Sequence, residues 1–189
     1  EAEEGQTYEC FPDIPFEEVM ADLFRSEGII ETADALGIQA AQLFRISSIE
    51  YIQLYPHVLE SLQLLRQKEC RLWLLSNAQE MFTVYELNHL KLTDVFDGIY
   101  ISSRFGYRKP DVRFFRALLE EHQLDPAHCL MIGNDRDTDI AGAKAAGLDT
   151  FYMHTELTPP EQAPADPANP MEFEGDDWKA IAKVLCKLI

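Results

Sequence analysis

The segment 129–147, CLMIGNDRDTDIAGAKAAG, most narrows what this chain folds into. A short apolar run ends in a glycine, an acidic cluster follows at once, and a helix of small residues comes after. Such a pattern describes a buried strand turning into a helix. It sets Asp135 and Asp139 at the carboxyl end of the strand, where open α/β sheets bind their ligands. Two carboxylates at that edge suit a hard divalent cation such as magnesium, which takes oxygen ligands and is commonly shared with phosphate. Asp and Asn also cap helices and form turns, so the pair taken alone leaves both uses open.

Two upstream segments bear on the choice. In 71–77, RLWLLSN, positions Leu72 to Leu75 are continuously apolar, as a parallel strand buried on both faces requires. That run stops at Ser76 and Asn77, a hydroxyl and an amide. In 106–111, GYRKPD, Lys109 stands before a proline, just ahead of an amphipathic helix over 112–122. Separately, Ser76 reads as a helix cap and Lys109 as a solvated cation. The ordered set of hydroxyl, ammonium and twin carboxylates is harder to explain that way.

With those residues in view, the chain resembles the haloacid dehalogenase superfamily of phosphatases and dehalogenases. The resemblance covers nearly the whole length. LLSN is similar to the family's second motif, which implies that Ser76 hydrogen-bonds a phosphoryl oxygen and that Asn77 helps orient the phosphate. RKPD resembles the third, which implies that Lys109 neutralises the phosphate and the attacking carboxylate. GNDRDTDIAGAKAAG resembles the fourth, with Asp135 and Asp139 spaced as its magnesium ligands, and Gly142 and Gly147 where the family places small residues. The implied fold is α/β, a Rossmann-like parallel sheet core with a small helical cap. Mg2+ is the implied cofactor and a small phosphorylated metabolite the implied substrate.

The family's first motif, an apolar strand ending in an aspartate pair, has no counterpart between Glu1 and Pro56. Asp13, Asp22 and Asp34 are the only aspartates there, and none follows an apolar strand. Asp135-Arg136-Asp137-Thr138 mimics the motif, but its downstream sequence fits the fourth, so Asp137 reads as a turn carboxylate beside the metal. In the family the first strand lies between those ending at Ser76 and Gly133. Its removal leaves backbone groups unpaired at about 1–3 kcal/mol each, against a total stability of roughly 5–15 kcal/mol. The expectation is that the natural protein carries upstream residues, or pairs with a separate N-terminal segment, and that the chain as given is inactive without them.

The remaining pattern gives the organisation. Residues 1–57 read as cap, with helices over 15–27, 31–43 and 47–54. Residues 58–189 read as core: helices over 58–68, 79–90, 112–122, 139–146 and 177–188, and strands over 72–75, 98–101, 130–132 and 150–153. Strands alternating with helices imply a parallel sheet with crossover connections. No Lys or Arg lies between Lys144 and Lys179, while acidic residues and half of the prolines gather there. The segment 156–176 therefore reads as a solvated, semi-extended connection.

Charge and cysteine usage narrow the function classes. A formal net charge of −17 argues against nucleic-acid binding, which needs clustered Lys and Arg. No apolar run approaches the roughly 20 residues that span a bilayer. The four cysteines lack CxxC spacing, so reduced thiols and a cytoplasmic location are expected.

By resemblance the activity is hydrolysis of small phosphomonoesters through an aspartyl-phosphate intermediate. A 2-haloacid dehalogenase and a non-catalytic binder of phosphorylated ligands or proteins are the alternatives; the acidic pair favours the phosphatase. Phe11, Phe16, Phe24, Phe44 and Tyr51 read as cap core before pocket lining, and Arg25 and Arg45 as surface cations.

Overall fold

Apolar side chains on both faces of β1 (Trp73–Ser76) explain why it lies inside. Leu74, with Leu72 just before it, packs on a cluster of Val58, Leu62, Leu87 and Leu92. Trp73 and Leu75 point the other way, onto Tyr100, Phe114, Leu118 and Leu119. Complete burial of such a side chain contributes about 1.5–3 kcal/mol, and the partial burial along β1 supplies a share of that for each, holding a four-residue strand between two helical layers. The computed structural model describes residues 9–188, and in it the chain has an α/β fold.

The elements run α1 (Phe16–Ser26), α2 (Ala33–Ser48), α3 (Val58–Gln67), β1, α4 (Glu80–His89), β2 (Gly98–Ile101), α5 (Val112–Glu121) and β3 (Leu130–Gly133). After a π turn at Arg136–Ile140 come α6 (Ala141–Ala145), β4 (Asp149–His154), β5 (Glu172–Glu174) and α7 (Trp178–Leu188). All strand pairs are parallel. β1 lies along β2 from Trp73 opposite Gly98 to Ser76 opposite Ile101. β3 lies along β4, and β4 along β5. The single sheet expected from the sequence is in two pieces among the described residues, β1–β2 and β3–β4–β5; no strand pairs with the second edge of β1 or of β3.

The helices owe their positions to apolar stripes. α5 buries Phe114, Phe115, Leu118 and Leu119, and starts where the Asp111 carboxylate accepts the Arg113 N–H, a side-chain cap on an otherwise orphan donor. α7 buries Ile181, Ala182 and Leu185 against Leu65, Phe151 and Met153. α1 and α2 meet closely where Gly37 of α2 faces Ala21 and the Glu17 carbonyl of α1. Phe16 packs on Phe44 of α2 and Phe82 of α4, with ring centroids 5.1 and 6.1 Å away, so the helical pair rests on the core through aromatic contacts.

Three expectations are corrected. Helix α2 continues through Phe44 and Arg45 to Ser48 and residues 49–54 are not helical, because no Gly or Pro breaks it at 43–46 while Pro56 disfavours helix just before it. The helix read over 139–146 is a π turn followed by a short α6, since the backbone turns around the Asp135 carboxylate. The connection 156–176 is not merely solvated. It contains β5, and Glu172 within it is ion-paired to Arg136.

Candidate active site

β1 and β3 end at one rim, and a cavity of about 760 Å³ opens there. Ser76, Asn77, Lys109, Asp135 and Asp139, the five residues singled out in the sequence, all line it. Strand ends supply Ser76 and Asn77 from β1, and the turn after β3 supplies the two aspartates. Lys109 arrives from the loop between β2 and α5.

That loop is held in place by Asn77. The Asn77 Oδ1 accepts the Lys109 N–H at 2.8 Å, and its Nδ2 donates to the Lys109 carbonyl at 3.0 Å. Both ends of the amide are thus used on backbone rather than on open space. The Lys109 side chain is 8% exposed. Its ammonium donates to the Leu75 carbonyl at 2.8 Å and pairs with Asp139 Oδ1 at 2.7 Å. A buried ammonium needs such partners, because desolvation alone is costly.

Asp139 lies against the chain of β3. Its Oδ2 accepts the Asn134 and Asp135 N–H groups at 3.1 and 3.3 Å. A Cβ at Gly133 would collide with the Asp139 carboxylate. Glycine at 133 is therefore what lets a side chain approach the end of the strand so closely. Gly142 plays a similar part in α6, where a Cβ would strike the Phe115 ring and the Pro110 backbone.

Asp135 is fixed from one side. Its Oδ1 accepts the N–H groups of Asp137 and Thr138 at 2.9 and 3.1 Å, and a hydrogen bond from Gln162 Nε2 at 2.9 Å. Partial burial works to raise the pKa of this carboxyl. The Gln162 hydrogen bond, and then those of the backbone, outweigh it and hold Asp135 below the usual carboxylate range. Asp137 is exposed, on the cavity lining beside it.

Phe11, read from the sequence as cap core before pocket lining, and the acidic connection, read as solvated, both wall the cavity. Phe11 lines the cavity, held by an extended segment in which its carbonyl accepts the Arg108 N–H at 3.0 Å and the Asp13 N–H donates to the Gly106 carbonyl at 3.1 Å. Leu157 and Pro159, from the acidic connection, line it too. Of the other residues considered, Arg25 bonds Asp22 at 2.5 Å and also Asp34, Arg45 pairs with Glu86, and neither lines the cavity.

Among the described residues no three His, Cys, Asp or Glu side chains form a metal cage. Mg2+ is usually held by one or two carboxylates, with waters and substrate phosphate completing its shell. Asp135 and Asp139 on one cavity lining fit that donor set. Nor is any helix among the described residues long and apolar enough to cross a membrane.

The chain is 31% identical over 108 residues to glyceraldehyde 3-phosphate phosphatase of Methanothermobacter thermautotrophicus, covering 57% of this chain and 48% of the relative. It is 32% identical over 135 residues to phosphoglycolate phosphatase of Vibrio vulnificus, covering 67% and 59%. The chain thus spans about half to three-fifths of the length of these relatives. The crystal structure of 2-haloacid dehalogenase from Pseudomonas syringae pv. Tomato superposes with a TM-score of 0.68, over 92% of this chain and 71% of that one, at 22% identity; the likeness is one of fold. The profile of the haloacid dehalogenase-like hydrolases matches residues 6–153, and with its parallel strands and the rim they create the chain belongs to that family.

Proposed function

We propose that this chain carries the phosphate- and metal-binding side of a magnesium-dependent hydrolase of small phosphomonoesters. The observation that supports it best is the arrangement of Lys109, Asp139 and Asp135 on one cavity with the Ser76 hydroxyl. The two relatives described above are, by name, phosphatases of small phosphorylated compounds.

Asp135 and Asp139 would hold Mg2+, which supplies positive charge against the phosphoryl oxygens. The Ser76 hydroxyl would donate a hydrogen bond to a phosphoryl oxygen. Lys109, already set by the Asn77 amide and the Leu75 carbonyl and paired with Asp139, offers an ammonium shielded from water. Such preorganised charge is the larger part of phosphoryl-transfer catalysis. With a net charge of −17 on the chain, long-range attraction does not bring an anionic substrate in, so the local cations must.

The test is release of inorganic phosphate from a panel of small monoesters by full-length protein, with Mg2+ and after chelation. Hydrolysis that disappears with the metal is the expected result. Chelator-resistant release of halide from 2-haloacids, with no phosphate release, would overturn the proposal in favour of the dehalogenase reading.

A further inference from the structure

Gln162 lies in the acidic connection, yet its amide bonds three consecutive residues of the turn after β3. Its Nε2 donates to Asp135 Oδ1 at 2.9 Å and to Asp137 Oδ2 at 3.3 Å, and its Oε1 accepts the Arg136 N–H at 2.7 Å. The half-buried side chain is delivered by an anchored backbone. The Gln162 N–H closes a turn onto the Pro159 carbonyl at 2.9 Å. Next to it, the Ala163 carbonyl accepts the Tyr152 hydroxyl at 3.1 Å, and the Pro164 carbonyl accepts from Arg136 Nη2 at 3.2 Å.

We infer that Gln162 is a positioning residue, which fixes the Asp135 carboxylate for its cation and keeps Asp135 and Asp137 together in spite of their like charge. The inference rests on the metal role proposed above for Asp135. Two carboxylates two residues apart repel each other, and a neutral donor shared between them offsets that without adding charge. A carboxylate tied at one oxygen by three donors no longer rotates freely, so its remaining acceptor capacity is aimed in one direction. Partners of this kind, bonded to the ligand rather than to the metal, typically change metal affinity by about 10–100-fold when removed. The other bonds of the connection, such as Ala165 N–H to Glu174 Oε2 at 2.9 Å, hold the segment itself and do not depend on Gln162. The same stretch brings Leu157 and Pro159 to the cavity, so the acidic connection forms part of the site.

The experiment is a Mn2+ titration of full-length protein followed by electron paramagnetic resonance, for the parent and for Gln162→Met, which keeps length and loses every side-chain hydrogen bond. The thermal midpoint without metal is measured in parallel. The expected result is a Mn2+ dissociation constant raised about tenfold with the metal-free midpoint unchanged. Equal Mn2+ affinity in parent and variant would overturn the inference while leaving the metal site intact. A parent that binds no Mn2+ would overturn the metal reading and this inference with it. If Gln162→Met lowers the midpoint, Gln162→Ala, which leaves the space to water, is judged by the same titration: weaker Mn2+ supports the inference and parental affinity refutes it.

Discussion

Asn77 and Lys109 bond each other in both directions, amide oxygen to backbone N–H and amide nitrogen to backbone carbonyl, as two neighbouring strands would. The end of β1 and the loop carrying the cation are thereby locked in register. Asn77→Asp keeps the acceptor but turns the donor into a second acceptor facing a carbonyl. A loss of about 1 kcal/mol in urea denaturation is expected, in line with one hydrogen bond, together with slower phosphate release. A variant as stable and as active as the parent would show that the clasp carries no weight.

The Lys109–Asp139 pair is buried on both sides, with side-chain exposures of 8% and 10%. Lys109→Met leaves an uncompensated carboxylate, which costs about 3–5 kcal/mol in closed interiors and less where a cavity admits water. Adding Asp139→Asn should restore part of that loss. A double-mutant cycle by chemical denaturation measures the coupling; strictly additive effects would mean that the two charges do not interact.

Gly133→Ala puts a methyl group where the Asp139 carboxylate lies. The strand is pinned by its pairing to β4, so the aspartate must give way. Destabilisation of about 1–3 kcal/mol is expected, with weaker binding of Mn2+. Calorimetry and the metal titration check the two parts separately.

The Glu172–Arg136 pair gives a pH signature. Hydrogen bonding to Arg136 holds the Glu172 carboxyl below its ordinary value of 4.5, against partial burial. A depressed carboxyl contributes stability above its unfolded pKa and loses it as pH falls through the folded one. The parent should therefore be more stable than Glu172→Gln at pH 7, and the two should converge below about pH 4 as the unfolded and then the folded carboxyl is protonated. Thermal midpoints across that range test it, and a difference independent of pH would count against the pair.

Much of this was legible because strand ends announce themselves. The apolar runs before Ser76 and Gly133 stop abruptly at polar or glycine positions, so the side chains that follow are fixed to one rim by the pattern alone. Lys109 was found through the proline and the amphipathic helix behind it. Gln162 left no such trace. It lies in a proline-rich acidic stretch without periodicity, and its role exists only through contacts to residues 25–27 positions away. β5 escaped for a related reason: three residues are too few to show alternation, and Phe173 gains its place by packing on the cluster around Phe151. The overreading of 47–54 as helix came from apolar residues whose spacing suits a helix and an extended segment alike.

The Lys109 ammonium touches the Leu75 carbonyl on one sheet piece and Asp139 beyond the other. Because one side chain serves at once as rivet and as electrode, evolution has little freedom to retune either duty in isolation. A change in what the cavity admits begins instead at the side chains of Phe11 and Leu157, which line it.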